Sequence, residues 1–148
     1  MNISEHFTRE ELVGSYIAER RGISNEPTPD QLRNLYETAG MLERVRVLCN
    51  NQPVYINSGF RSETLNVVVG GAVNSAHCHG RAADFRIPGF GSPYEVTERI
   101  IVSDLDFDKV IYEGTWVHIQ IRDNPRREAY IANFDGGRVR YRAWGADG

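Results

Sequence analysis

The chain has few cysteines, no long apolar run and no excess of positive charge. Two cysteines, Cys49 and Cys78, occur among 148 residues. They are too few for a disulfide scaffold, so we expect two reduced, packed thiols. No apolar stretch approaches the roughly 20 residues of a membrane-spanning helix, and we expect no membrane insertion. The formal net charge of -3 gives no electrostatic case for nucleic acid as a partner.

The chain also has no internal repeat and no low-complexity tract. Its first residues, Met1–His6, contain no basic start followed by an apolar run, so they do not read as a signal peptide. We therefore expect synthesis in the cytoplasm without an export signal. The hydrophobic fraction of 41% and the charged fraction of 25% are ordinary globular values. The length predicts one domain over residues 1–148, and we expect a monomer.

Capping signals and apolar periodicity predict an α+β domain, with helices early and a small antiparallel sheet late. A capping box at Thr8 precedes apolar residues at helical spacing, which predicts one helix that ends near Gly22. A second capping box at Thr28 predicts a long core helix that reaches Leu48. Two further helices are predicted from residues 62 and 92, and strands over residues 54–58, 82–87, 107–112, 115–121, 129–134 and 138–141.

The stretch Ser75–Asp84 concentrates side chains that bind metals. His77 and Asp84 are separated by small residues and by Gly80, which can turn the chain at a positive φ. His118 lies downstream in an apolar run typical of a strand. Imidazole and carboxylate are ligands that zinc favours, and a catalytic zinc takes three protein ligands and leaves one position for water. We therefore predict that His77, Asp84 and His118 bind one Zn²⁺ per chain.

Each of these residues also has a more ordinary interpretation. His77 and Asp84 can form a hydrogen bond within a loop, and His118 can be a core histidine with both nitrogens satisfied. Cys78 and His79 are chemically capable ligands, but adjacent side chains usually diverge. We interpret Cys78 as a packing residue and His79 as a histidine that faces substrate or solvent.

The same region carries a family resemblance. The order Ser-x-His-x-x-Gly-x-Ala-x-Asp is met by Ser75, His77, Gly80, Ala82 and Asp84, with Ser58–Ser62 upstream and Trp116–His118 downstream. Together these residues resemble the zinc D-Ala-D-Ala carboxypeptidase family, particularly its small bacteriophage peptidase domains. The resemblance runs from about residue 4 to about residue 121. It implies a hedgehog/D-Ala-D-Ala peptidase-like fold with the zinc site on its sheet, and it favours the metal interpretation of His118.

The resemblance implies a zinc metallopeptidase that hydrolyses peptidoglycan stem peptides. The cut is either removal of the terminal D-Ala or internal cleavage, such as at L-Ala-D-Glu. A metallopeptidase needs a base for the attacking water, and we select Glu113. Some family members carry an acidic residue three positions before the last zinc histidine, where this chain has Thr115. Glu113 must therefore be swung inward by a hairpin turn, and Asp106 and Asp108 are weaker alternatives.

Four residues are predicted to handle substrate. Arg61 lies in the matching Ser58–Ser62 run, and its planar fork suits a substrate carboxylate or a developing oxyanion, so we assign it to catalysis and binding. A surface salt bridge is its alternative. Ser75 can orient substrate or a ligand, or cap the local turn, and His79 can face substrate. Gln120 lies two positions after His118 on the same strand face and can donate a hydrogen bond near the metal or to substrate.

A second class of function stays open: a non-catalytic binding or structural module with the same fold, in a phage particle. The displaced acidic residue keeps this alternative open. On the enzyme interpretation we expect a phage endolysin or a virion component that reaches the cell wall after holin release or within a particle. Arg138, Arg140 and Arg142 make the C-terminal part basic, either to contact an anionic wall polymer or as a solvated strand face.

Overall fold

A computed structural model describes residues 1–145. Within this range the chain forms five α-helices and six β-strands, with a 3-10 turn at Ala76–His79. The helices are α1 (Arg9–Val13), α2 (Tyr16–Arg21), α3 (Pro29–Leu48), α4 (Glu63–Val68) and α5 (Pro93–Val102). The strands are β1 (Tyr55–Ser58), β2 (Ala82–Arg86), β3 (Lys109–Tyr112), β4 (Val117–Gln120), β5 (Glu128–Asp135) and β6 (Arg138–Ala143).

All six predicted strands are present and join in one sheet of order β1-β2-β4-β3-β5-β6. The α+β class is confirmed, but the expected antiparallel sheet needs one correction, because β3 and β5 are parallel. The β3–β4 hairpin reverses the chain, and the segment after β4 crosses to the far edge of β3. A strand that starts there runs in the direction of β3.

The core lies between one face of the sheet and the helices α3 and α5. Thr28 begins α3 as predicted: its hydroxyl accepts from the Gln31 amide at 3.2 Å, and the Gln31 side chain accepts from the Thr28 amide at 2.8 Å. The apolar stripe of α3 joins the inward side chains of β2, β3 and β4 in one buried cluster, which includes Leu35, Leu42, Val45, Phe85, Val110, Val117 and Ile119. Burial of these side chains is the main stabilising contribution.

The single N-terminal helix predicted up to Gly22 is wrong, because the chain breaks between α1 and α2. Gly14 is extended at ψ 142°, and Ser15 starts a new helix by accepting from the Ala18 amide. The break leaves the Leu12 carbonyl free to accept from the Phe60 amide at 2.8 Å. A long-range hydrogen bond thus replaces the next turn of helix.

The remaining expectations on burial are confirmed. Cys49 and Cys78 are free thiols and both are buried. Burial raises the pKa of Cys49 to about 11 and also raises that of Cys78, so both remain protonated and unreactive. Among residues 1–145, none of the helices combines the length and apolarity that crossing a bilayer requires.

Candidate metal centre

A row of paired residues crosses the sheet on the face opposite the helical core. Asp84 of β2 pairs with His118 of β4, which pairs with Ile111 of β3, and Ile111 pairs with Tyr130 of β5. Directly opposed residues on neighbouring strands project to the same face. Strand register therefore brings Asp84 and His118 together although 34 positions separate them.

His77 reaches the same place from the 3-10 turn. Ser75 caps this turn, with its hydroxyl accepting from the His77 amide at 3.2 Å. Gly80 ends the turn at φ 73°, as predicted, and a Cβ at that position would lie 2.4 Å from the Gln31 carbonyl oxygen. The turn and the start of β2 thus set His77 beside Asp84.

His77, Asp84 and His118 converge as predicted. Asp84 Oδ1 lies 3.2 Å from His77 Nε2 and 2.9 Å from His118 Nδ1. Each residue offers one ligand atom, and the three atoms lie within 4.8 Å of one another. The side chains are only 3%, 13% and 11% exposed, respectively. The backbone therefore holds three potential ligands at one place, where they could hold a metal ion.

The chemistry of this donor set fits zinc. His77 Nδ1 lies 2.7 Å from the Gly59 carbonyl oxygen, which can only accept, so Nδ1 carries the proton and the Nε2 lone pair faces Asp84. Gly59 is held close by α1, since a Cβ there would lie 2.3 Å from the Leu12 carbonyl oxygen. A neutral imidazole, a second imidazole and a carboxylate are a three-ligand set that zinc takes in catalytic sites.

The electrostatics of the cluster favour a cation. Burial lowers the pKa of His77 and keeps its ring neutral. Burial opposes ionisation of Asp84, but hydrogen bonds with His118 and His77 hold its pKa well below the usual range. Burial also favours neutral His118, yet the Asp84 carboxylate raises its pKa. An ionised carboxylate between two imidazoles attracts either a proton or a metal ion.

The cluster lies in the wall of a cleft of about 1030 Å³. Arg61 and Glu113 line the same cleft, and so do side chains of β5 and β6, among them Phe134 and Tyr141. The Trp116 and Phe134 rings lie 6.1 Å apart, so the β5–β6 hairpin approaches the side of the cleft that carries Glu113. The metal-ligand cluster is thus open to a sizeable ligand.

A sequence model of the peptidase M15 family matches residues 5–120. The chain belongs to the peptidase M15 family. A zinc D-Ala-D-Ala carboxypeptidase of Streptomyces albus G is 45% identical over 51 residues, which cover 34% of this chain and 20% of that relative. The resemblance drawn from the sequence motifs is thereby confirmed. Because the family match ends at residue 120, the β5–β6 hairpin lies outside it.

Glu113 lies on the cleft side of this M15 family member. Its backbone N–H donates to the Trp116 carbonyl oxygen at 3.0 Å, so the two residues face each other across the β3–β4 turn. Glu113 is two positions from Ile111 and Trp116 two from His118, and alternation puts all four on one face. The Trp116 indole N–H donates to the Glu113 carboxylate. Burial and the nearby Asp84 raise the pKa of Glu113.

Thr115 does not take the place of the missing acid. It is exposed at the tip of the turn and does not line the cleft. Asp106 is exposed and lies outside the cleft, whereas Asp108 is buried in an ion pair with Arg126. Of the candidate bases, Glu113 is the one with a carboxylate at the cleft and no cationic partner among the described residues.

Arg61 is a mostly buried cation rather than a surface salt bridge. Its side chain is 15% exposed, and Nη2 lies 3.9 Å from Asp84 Oδ2. Its Nε has no hydrogen-bond partner among residues 1–145. Gly71 makes room for the guanidinium, because a Cβ there would lie 3.0 Å from Nη1. Arg61 thus keeps N–H groups available for an anion in the cleft.

The other predicted substrate residues also line the cleft. Ser75 caps the 3-10 turn, which was the alternative interpretation of its hydroxyl. His79 Nε2 lies 3.0 Å from Asn74 Oδ1. Gln120 lies 2.9 Å from His118 and donates to Asp108 at 3.0 Å, so both ends of its amide bond to protein. Substrate contacts of these three residues stay predictions.

Sequence reasoning missed three supporting groups. The Gly59 carbonyl holds His77, the Trp116 indole holds Glu113, and Asp108 anchors Gln120. A strict register for the predicted β3–β4 hairpin would have indicated Trp116, because it places Glu113 and Trp116 opposite each other. The roles of Gly59 and Asp108 depend on contacts between distant segments, which the sequence pattern does not carry.

Proposed function

We propose that this chain is a zinc-dependent peptidase that hydrolyses peptidoglycan stem peptides. The observation that carries the proposal is the convergence of His77, Asp84 and His118, with ligand atoms within 4.8 Å at the wall of a cleft. Membership of the M15 family supports peptidase chemistry. The substrate class follows from the relative named as a zinc D-Ala-D-Ala carboxypeptidase.

One zinc ion per chain would be held by His77 Nε2, Asp84 Oδ1 and His118 Nδ1, the three atoms that face one another. When bound, zinc supplies a Lewis acid that polarises the scissile carbonyl and activates water. The buried carboxylate of Asp84 offsets the charge of the ion. The His77 Nδ1–H bond to Gly59 fixes the orientation of its ring.

Glu113 acts as the general base. Its carboxylate accepts a proton from the attacking water and then returns it to the leaving amine. The raised pKa brings Glu113 closer to the operating pH, which makes it a better proton donor in the second step. The Trp116 indole N–H holds the carboxylate on the cleft side throughout.

Arg61 binds an anionic group of the substrate. A guanidinium with an unpaired Nε, held between Gly71 and Asp84, can pair with a terminal carboxylate or with the oxyanion that forms during hydrolysis. A free carboxylate next to the scissile bond exists in removal of terminal D-Ala, and internal cleavage leaves the oxyanion role. Ser75 and His79 line the cleft and contact the stem peptide beside the reacting bond.

We place this activity at the cell wall. The resemblance to small bacteriophage peptidase domains favours a monomeric phage enzyme that reaches the wall after holin release or as a component of the virion. Whether it removes the terminal D-Ala or cuts within the stem, as at L-Ala-D-Glu, depends on how far the stem peptide extends past the ligand cluster along the cleft.

The test is digestion of purified peptidoglycan by zinc-loaded protein, with products identified by mass spectrometry. We expect release of D-Ala or new stem-peptide ends, loss of both on chelation and recovery on adding zinc. An Asp84→Ala variant is the matched control and should be inactive. Protein that carries stoichiometric zinc yet gives no products on several wall chemistries would contradict the proposal and favour the binding-module alternative.

A further inference from the structure

We propose that Asp108 and Gln120 are positioning residues that set the tautomer of His118, so that its Nδ1 lone pair faces the metal site before an ion arrives. This inference rests on the proposed metal site but not on peptidase activity. It concerns a chain of side-chain hydrogen bonds that leads from Arg126 through Asp108 and Gln120 to His118.

Asp108 is the fixed end of this chain. Its side chain is 1% exposed, and Arg126 Nε and Nη2 each donate to it at 2.9 Å. The Arg126 backbone N–H donates a third hydrogen bond at 3.2 Å. The hydrogen bonds from Arg126 hold the pKa of Asp108 well below its usual range. Asp108 is therefore an ionised carboxylate, which can only accept.

Asp108 fixes the direction of the Gln120 amide. Gln120 Nε2 lies 3.0 Å from Asp108 Oδ2. The opposite orientation would place the amide oxygen against a carboxylate oxygen, with no hydrogen between two acceptors. The amide nitrogen therefore faces Asp108, and Oε1 faces His118.

Gln120 in turn fixes the proton on His118. His118 Nε2 lies 2.9 Å from Gln120 Oε1, and an amide oxygen cannot donate, so Nε2 carries a proton. A neutral imidazole has one N–H and one lone pair. The lone pair of neutral His118 is then on Nδ1, 2.9 Å from Asp84 Oδ1 and inside the ligand cluster.

The two histidines thus present opposite nitrogens for physical reasons found at opposite sides of the site. His77 is held by the Gly59 carbonyl and offers Nε2, whereas His118 is held by Gln120 and offers Nδ1. Without the Asp108 anchor the Gln120 amide can rotate, and part of the His118 population has its proton on the nitrogen that must bind metal. Partners of this kind typically contribute 10–100-fold in metal affinity.

The test uses metal-free full chain at a pH where the His118 ring is neutral, with the ring tautomer read from imidazole ¹⁵N shifts in NMR. Wild type should show Nε2–H. Gln120→Met removes the acceptor and should give a mixture of tautomers. Asp108→Asn presents an amide N–H to Gln120, so the Gln120 amide should flip and the tautomer should invert to Nδ1–H.

Zinc affinity, measured by competition with a chromophoric chelator, is the second readout. We expect both variants to bind zinc about 10-fold more weakly than wild type. Arg126→Gln is the control, because it breaks the same ion pair and lowers the melting temperature but leaves the Asp108 carboxylate. It should keep Nε2–H and near-wild-type zinc affinity.

Two results would overturn the inference: His118 with Nε2–H in both Gln120→Met and Asp108→Asn, or zinc affinity that follows melting temperature across all three variants. Failure of the proposed metal site gives a different pattern, because wild type would then bind no zinc whatever the tautomer. Zinc binding without hydrolysis would contradict the peptidase and leave the inference intact.

Discussion

Replacing Glu113 by glutamine isolates its role as a base, because the change removes the charge and keeps the shape. The amide oxygen of the substituted side chain would still accept from the Trp116 indole N–H, which bonds Glu113 in the wild-type chain. The substitution leaves no cavity, unlike alanine. It also leaves the three ligand atoms, none of which comes from Glu113. Zinc content should therefore stay at one ion per chain.

The expected loss is large in rate and absent in stability. General base catalysis contributes about 10²–10⁴-fold, so kcat should fall by that factor. This corresponds to about 2.7–5.4 kcal/mol of transition-state stabilisation, at 1.36 kcal/mol per tenfold. Burial and Asp84 raise the folded-state pKa of Glu113, so its ionisation reduces folding stability as pH rises through that pKa. Glutamine removes this penalty, and the melting temperature at neutral pH should equal or exceed that of wild type.

The assay is kcat on a purified stem-peptide substrate, with zinc stoichiometry and melting temperature measured on the same sample. Glu98→Gln, on an exposed position of α5, is the matched control and should behave as wild type. A Glu113→Gln enzyme that retains zinc and stays within about threefold of wild-type kcat would refute the assignment, since a general base contributes more than that. The base would then have to be another group.

Three further substitutions probe the site. His118→Ala should lose both zinc and hydrolysis, and stoichiometric zinc in that variant, measured by metal analysis, would remove His118 from the ligand set. Trp116→Phe removes the hydrogen bond that favours ionised Glu113, so its pKa should rise further and the acid limb of the pH–rate profile should move to higher pH; an unmoved limb would contradict Glu113 as the base. Gly80→Ala should lower the free energy of unfolding by at least about 1–2 kcal/mol from the positive φ alone. The crowding against Gln31 adds to this loss, and unchanged denaturant unfolding would count against the strained turn.

Local signals were enough to predict most elements. The capping boxes at Thr28 and Ser92 begin α3 and α5, because a hydroxyl that accepts from the third residue stabilises a helix start wherever it occurs. The six strands followed from short apolar runs bounded by turn residues. The same local rules failed at Gly14, where a contact between Leu12 and Phe60 decided that the helix should break.

The chemistry of the ligands was also carried by the sequence. His77, Gly80 and Asp84 lie in one short motif, and the conformation of Gly80 at φ 73° is the one that its lack of a side chain allows. Residue types and spacing indicated an imidazole–carboxylate metal site, and the family match agrees with the motif. The parallel pairing of β3 with β5 was not predictable in this way, since it depends on which edge of the sheet the chain crosses to.

The sequence alone therefore determined the helix starts, the strands and the kinds of side chain at the metal centre. Tertiary structure decided where those side chains meet: strand register sets His118 against Asp84 and turns Glu113, rather than Thr115, into the cleft. It also decided the hydrogen bonds that Gly59 and Gln120 make to the two histidines. Capping and turn preferences act between neighbours in the chain, whereas ligand geometry and proton positions depend on segments that come together only when the sheet forms.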